Sequence, residues 1–504
     1  MKKLYIILGL AALMAMGSSC KKFLDQQPSS EASDQTTWKS DGDANVSVAA
    51  CYSLIRSALN ATITHYAYGD LPTDEFSDVV AGDPAFRDVM ITNWGIGIPS
   101  ANTYDPRLKL RLYTNFYTAI AQSNRCLYFI GSMPLSAFTG SDTATQSARK
   151  NHYLGEAYFT RAFNYFYMSR VWGDVPLVTS YMADVSGAPQ LARTPQATVL
   201  AQTIADLGMA ARYLDWKDES STDRVVRADK GAVYALLAHI YAWKGDYDNC
   251  KMACDSVINA QSGGSPSYSL VNGMNYLSIY QGQSDEGIFE ISQNSVSESS
   301  IIGTSISGVT LTQPYITGVT IPSWQLNTST IGALYYDASD LRYQQAFINA
   351  PSGGEECIKY SNIRNVNNNA AYQVSLNNII VFRLADIELL KAEALAAKSS
   401  PDYAGSLAIV NSIRTRAGLT TPLAGITGPA LLDTVTAERG RELFLEGHRF
   451  YDLVRQTRNT GTIKFPNINA AELKAGKNYW PVDPTLFFIN SNLTQTPFWI
   501  GKVF

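Results

Sequence analysis

Histidine, charge and long apolar runs are all scarce in this chain. Its 504 residues hold four histidines, His65, His152, His239 and His448, isolated from one another and outside any HExxH, CxxC or clustered His/Asp pattern. That argues against a zinc hydrolase. No GxSxG elbow, P-loop or GxGxxG occurs, and "GTSISG" and "GIGIPS" lack the strand-to-helix setting such motifs need. Charged residues are 17% of the chain and form no Lys/Arg run or basic patch, so nothing favours nucleic acid as a partner. Cys51, Cys126, Cys250, Cys254 and Cys357 are too few and too scattered for a disulfide framework. Cys250 and Cys254, four apart with no histidine beside them, read as small buried hydrophobes rather than metal ligands. The sequence carries no signature of a cofactor, and a structural calcium ion would leave none.

The apolar run "LYIILGLAALMA" spans about a dozen residues, short of the roughly twenty a membrane-crossing helix needs. It follows Met1-Lys2-Lys3 and precedes small residues and Cys20, the layout of a secretory signal peptide over residues 1–19. Cys20 is either an acylated lipobox cysteine, with Gly17 where Leu is usual, or an incidental one behind an ordinary leader. Residues 20–43 are polar and turn-prone and read as a tether; the body runs from 44 to 504.

What the body has is rings and helical periodicity. There are 29 Tyr and 8 Trp, more flat amphipathic side chains than a core requires. Periodicity predicts helices over Ala44–Leu59 and Leu108–Gly131. It also predicts three related helix pairs, within Gly155–Leu214, Lys230–Ile258 and Phe382–Leu419. Ala238 precedes Tyr247, and Ala392 precedes Tyr403, in matching places; small residues let paired helices approach while large ones plug the groove, as in a tetratricopeptide-type repeat. The expected fold is mainly α, with helical-repeat segments near 108–131, 151–259 and 378–458. Irregular portions near 60–107 and 260–375 carry a few short strands, among them "GIFEIS".

Thr436–Arg458 places acids and arginines at helical spacing and predicts an ion-pair network along one helical face, holding the last helix to the scaffold. Asp74-Glu75, Asp83 and Asp285-Glu286 are loop acids that leave a glycan hydrolase open as an alternative. No Lys or Arg lies between Lys251 and Arg342, a polar excursion suited to a neutral, hydroxyl-rich ligand.

Taken in order, "CKKFLD…P", "RAFNYFYMSRVWGDVPLV", "KGAVYALLAHIYAWKGDYDNC", "FRLADIELLKAEAL" with "VNSIRTRAGL", "ERGRELFLEGHRFYDLVR" and "WPVDPTLFFINSNLTQTPFW" make the chain similar to the SusD/RagB family of outer-membrane nutrient-binding lipoproteins. "PVDP" at Pro481–Pro484 departs from the family's "PIPQ", and Thr496 stands where Asn is usual. The resemblance implies a non-enzymatic, glycan-binding protein lipid-anchored at Cys20 on the outer face of the outer membrane, partnered with a SusC-like TonB-dependent transporter. It transfers no binding residues. From the chemistry of sugars, Trp94 and Trp324 are the expected aromatic platform, aided by Tyr315 and Tyr66, with Asp83, Arg87 and Asn93 as hydrogen-bonding groups. Trp172 and Trp243 read as core. A protein-binding helical-repeat adaptor is the remaining alternative.

Overall fold

The computed structural model describes residues 37–503 apart from 81–83, 99–101, 103, 184–188, 217–219 and 263–264. Cys20 lies outside the described residues. The main helices are α1 (Asp41–Asn60), α2 (Thr114–Ser132), α3 (Thr143–Trp172), α4 (Gln196–Tyr213), α5 (Lys230–Lys244), α6 (Tyr247–Ile258), α7 (Leu384–Ala397), α8 (Tyr403–Arg416), α9 (Gly428–Glu442) and α10 (Arg449–Thr460).

Local signals set their ends. The Asp142 carboxylate caps α3, Asp229 caps α5, Asp246 caps α6 and Asp402 caps α8, each accepting an orphan backbone N–H. Gly173 and Gly245 close α3 and α5 at φ 74° and 75°, a left-handed turn that side chains disfavour. α1 begins at Asp41, three residues before the expected start, because Ser40 and Asp43 form a reciprocal capping box. The helix expected over Leu108–Gly131 is broken after Leu110: Arg111 is buried and donates to the carbonyls of Trp94 and Ile96 at 2.8 Å each, which draws the chain out of line.

The helices pack in consecutive pairs, α3 on α4, α5 on α6 and α7 on α8, with α6 also against α7 and α9 against α7 and α10. Ala238 and Ala392 are buried where the helices meet, and the Tyr247 hydroxyl donates to Glu393 at 3.1 Å, tying neighbouring pairs together. Trp172 and Trp243 are core.

Short strands join the irregular portions to this scaffold. β1 (Phe76–Val79) pairs with β4 (Trp324–Leu326) after β2 (Gly287–Ile291) and β3 (Ser300–Ile301) have intervened in the chain. β5 (Ile363–Asn365), β6 (Gln373–Ser375) and β7 (Ile379–Arg383) follow, giving a β2–β7 ladder and a three-stranded sheet ordered β3-β6-β5. Phe382 and Arg383, read from sequence as the start of a helix, complete β7 instead, because pairing with Phe289 and Gly287 outweighs local helical preference.

Candidate functional site

The residues named from sequence do not form one site. Trp94 is 0% exposed, lies parallel to Trp480 with centroids 4.5 Å apart, and donates its indole N–H to the Val89 carbonyl at 2.9 Å. Trp324 is also 0% exposed, wedged between Phe86 at 4.9 Å and Phe76 at 5.7 Å. Tyr66 is buried edge-on to Tyr360. None of these rings has a free face, so the expected platform is corrected to core packing. Arg87 is exposed and pairs with Asp78 at 3.6 Å; Asn93 is exposed at a turn, its N–H on the Asp88 carbonyl. Tyr315 is half-buried, its carbonyl held by the Gln373 amide at 3.1 Å. Asp83 lies outside the described residues.

The loop acids are engaged or sealed. Asp74 takes a two-pronged contact from Arg449 at 2.6 and 2.8 Å, Asp285 meets Arg224 at 3.0 Å, and Glu286 is buried between Arg383 and Arg416. Glu75 is fully buried with no hydrogen-bond partner among the described residues on either carboxylate oxygen, and burial pushes its pKa well up.

The charges of Thr436–Arg458 do build an ion network, but not along one helical face. Leu445 at φ 58° and Gly447 at φ 77° turn the chain between α9 and α10, so Glu442 and Glu446 reach other segments. Glu442 meets Arg342 at 2.9 Å, Arg383 at 2.7 Å, and Arg416. Glu446 meets Arg383 at 2.7 Å and Lys359 at 2.9 Å, and these cations outweigh its burial to hold its pKa at about 2. Two pairs within the stretch keep the expected three-residue spacing, Glu438 with Arg441 and Asp452 with Arg455, each at 2.6 Å.

Among the described residues one group of metal-ligand type occurs, beside this network: His239, Asp386 and His448, whose ligand atoms fall within 4.8 Å of one another. His239 Nε2 and Asp386 Oδ2 are 2.7 Å apart, and Arg439 takes the other carboxylate oxygen at 2.8 Å. With the carboxylate already satisfied and a guanidinium against it, the group is a structural hydrogen-bonded unit. Cys250 and Cys254 are buried thiols, as expected.

A surface with ligand-binding chemistry lies elsewhere, around β5 and β6. A crevice of about 460 Å³ has Tyr280, Lys359 and Asn377 as its buried floor and Gln281, Ser361 and Asn362 at its rim. The floor is fixed in place. Lys359 Nζ donates to Glu446 and to the Phe444 carbonyl at 2.9 Å each, and the Asn377 side chain bridges the Tyr280 carbonyl at 2.7 Å and the Asn362 N–H at 3.0 Å. The Gln281 and Asn362 side chains have no partner among the described residues and face solvent.

From the crevice the chain runs straight into β5. Arg364 sits opposite Val374, which sits opposite Ile301. Directly paired residues share a face and alternate residues return to it, so Asn362, Arg364, Tyr372 and Ile301 line one side of the sheet. Tyr372 is 69% exposed and Ile301 70%, and Arg364 is exposed. The Gln373 side chain points to the opposite side, where it holds the Tyr315 loop. Asn367 and Asn368 take φ 53° and 57° at the hairpin tip, left-handed positions that asparagine tolerates, which accounts for part of the "NVNNN" run. The face thus joins a ring, a guanidinium and free amides to a crevice. Sequence reasoning missed it because Tyr372 is one of 29 tyrosines; the polar hairpin "SNIRNVNNNAAYQ" was the available signal.

Two family profiles cover most of the chain: one described as "SusD family" over residues 323–499, and one described as "Starch-binding associating with outer membrane" over residues 22–242. The chain belongs to the SusD/RagB family. SusD-like protein P38 of Formosa agariphila is 26% identical over 490 residues, covering 88% of this chain and 90% of that one. Among solved structures, a SusD homologue of Bacteroides thetaiotaomicron superposes with a TM-score of 0.75 at 26% identity, over 91% of this chain and 98% of that one. A laminarin-binding SusD-like protein shares the fold, at 19% identity and a TM-score of 0.68, over 91% and 99% of the two chains. In this SusD-like chain no helix among the described residues is long and apolar enough to cross a membrane.

Proposed function

We propose that this protein is a non-catalytic receptor that binds an oligo- or polysaccharide at the face lined by Asn362, Arg364 and Tyr372. In this reading it is anchored through lipid on Cys20 to the outside of the outer membrane and passes the glycan to a SusC-like TonB-dependent transporter. Membership of the SusD/RagB family supports the class of function. The observation that carries the choice of site is the exposed Tyr372 ring sharing one sheet face with Arg364 and an amide-rimmed crevice. Aromatic rings cover the C–H side of sugars, while amides and guanidinium satisfy their hydroxyls. Asp74, Asp285 and Glu286 are held by arginines, and this favours binding over the hydrolase alternative.

A glycan array followed by calorimetry, on protein beginning after Cys20, tests the reading. Binding of at least one glycan family without release of reducing ends is expected; turnover lost on removing a loop carboxylate would overturn it. Co-purification of a TonB-dependent transporter from mildly solubilised membranes, dependent on Cys20, is expected for the full-length chain.

A further inference from the structure

From Cys357 to Ala385 the chain contains no Asp or Glu. Its other basic residues, Lys359 and Arg383, are buried on Glu446 and Glu442. Arg364 alone is exposed there, and no described residue forms an ion pair with it. The register places it in line with two groups suited to sugar: Asn362 two residues before it at the crevice rim, and Tyr372 one diagonal step across the ladder. Diagonal neighbours on one face lie about 7 to 8 Å apart at the backbone, within reach of long side chains. A guanidinium presents a planar fork that binds carboxylate or sulfate oxygens in pairs, with stronger hydrogen bonds than a neutral hydroxyl offers.

We infer that Arg364 makes this face selective for glycans that carry an oxyanion, a uronate carboxylate or a sugar sulfate, with the adjoining ring stacked on Tyr372. This rests on the glycan-binding reading above and narrows it from the neutral ligand that the Lys/Arg-free excursion suggested, because Arg364, with Asn362 and Tyr372 beside it, lies beyond that excursion and brings a cation to the face. The competing role for Arg364 is to guard β5, an edge strand, against pairing with another chain.

The test is calorimetry with oligogalacturonate, a sulfated carrageenan oligosaccharide, and neutral laminari- and malto-oligosaccharides, on wild type, Arg364→Gln and Arg364→Lys. The exposed position lets both variants fold, which an unchanged melting temperature verifies. One of the two anionic probes should bind wild type more tightly than either neutral one, and added salt should weaken it. Arg364→Gln should lose about tenfold in affinity for that probe, the size expected for a charged hydrogen bond; Arg364→Lys should recover part of it. Which anionic probe responds separates carboxylate from sulfate. Neutral probes bound as tightly as anionic ones, with Arg364→Gln unchanged, would overturn the inference and leave the glycan reading standing. Self-association of Arg364→Gln at unchanged affinity would overturn it in favour of the edge-guard role. If no sugar of either class binds wild type, the glycan reading itself fails and the inference with it.

Discussion

Trp94 and Trp480 lie face to face, 4.5 Å between centroids and 9° from parallel, with Trp94 wholly excluded from solvent. Phe450 and Trp499 close around the pair. Truncating such a ring leaves a cavity, so Trp94→Ala should destabilise the protein by about 3 to 5 kcal/mol. Denaturant unfolding checks the value, and the surviving folded fraction should bind ligand with wild-type affinity. A fully stable Trp94→Ala that had lost binding would return this residue to the ligand site.

That contact also marks how far the sequence can be read. Helices were legible because their signals are local: the Asp246 cap, the Gly245 turn and the apolar stripe of α5 and α6 all fall within thirty residues of chain. The acid–arginine character of Thr436–Arg458 was legible too, but its partners were not, since Glu442 finds Arg342, Arg383 and Arg416 in three separate segments. Whether a tryptophan such as Trp94 or Trp324 meets sugar or core depends on residues brought from across the chain, and composition is silent on that. The proposed binding face depended on strand register, which set Arg364 and Tyr372 on one side of the sheet and the Gln373 side chain on the other.

Glu442 stands between three guanidinium groups in a buried setting. Removing it takes one carboxylate from each of three buried arginines and leaves the cluster with excess positive charge, so Glu442→Ala should cost about 3 to 5 kcal/mol, as broken buried ion pairs do. Thermal melts compared with wild type provide the check. A variant within about 0.5 kcal/mol of wild type, the range of ordinary surface changes, would show that the network is not holding α9 to the scaffold.

Two histidines and two carboxylates each contribute stability that is lost in acid, in two stages. Burial lowers His65 to about 3 and His448 to about 4, so both stay neutral in the fold while the unfolded chain protonates them near its ordinary value. Stability is therefore lost as pH drops below about 6.5. Glu446 and Asp452, buried but held at about 2 by Arg383 and Arg439 respectively, add stability that is present above the ordinary carboxylate range and lost as pH falls from about 4.5 toward 2. Below about pH 4.5 both sets act together, so melting temperatures should fall steeply between about pH 4.5 and 3; a flat profile there would contradict these assignments.

Glu75 has the opposite sign. Burial, then the neighbouring Asp70 carboxylate, raises its pKa, and Asp70 is itself raised to about 8 by burial. Arg449, Asp74 and Lys359 also face Glu75. The folded state keeps protons that the unfolded chain releases above about pH 4.5, so these two acids erode stability as pH rises. Glu75→Gln should melt higher than wild type at pH 8, with the advantage shrinking toward pH 5. A variant less stable than wild type at both values would mean the ionised carboxylate is needed.

The binding face itself is tested most directly by Tyr372→Ala, because the side chain is largely exposed and its loss leaves the core intact. Calorimetry with a glycan that wild type binds should show affinity reduced about five- to tenfold, in keeping with roughly 1 kcal/mol or more for an aromatic contact, at an unchanged melting temperature. Wild-type affinity in a folded Tyr372→Ala would place the sugar elsewhere on the molecule and contradict the account.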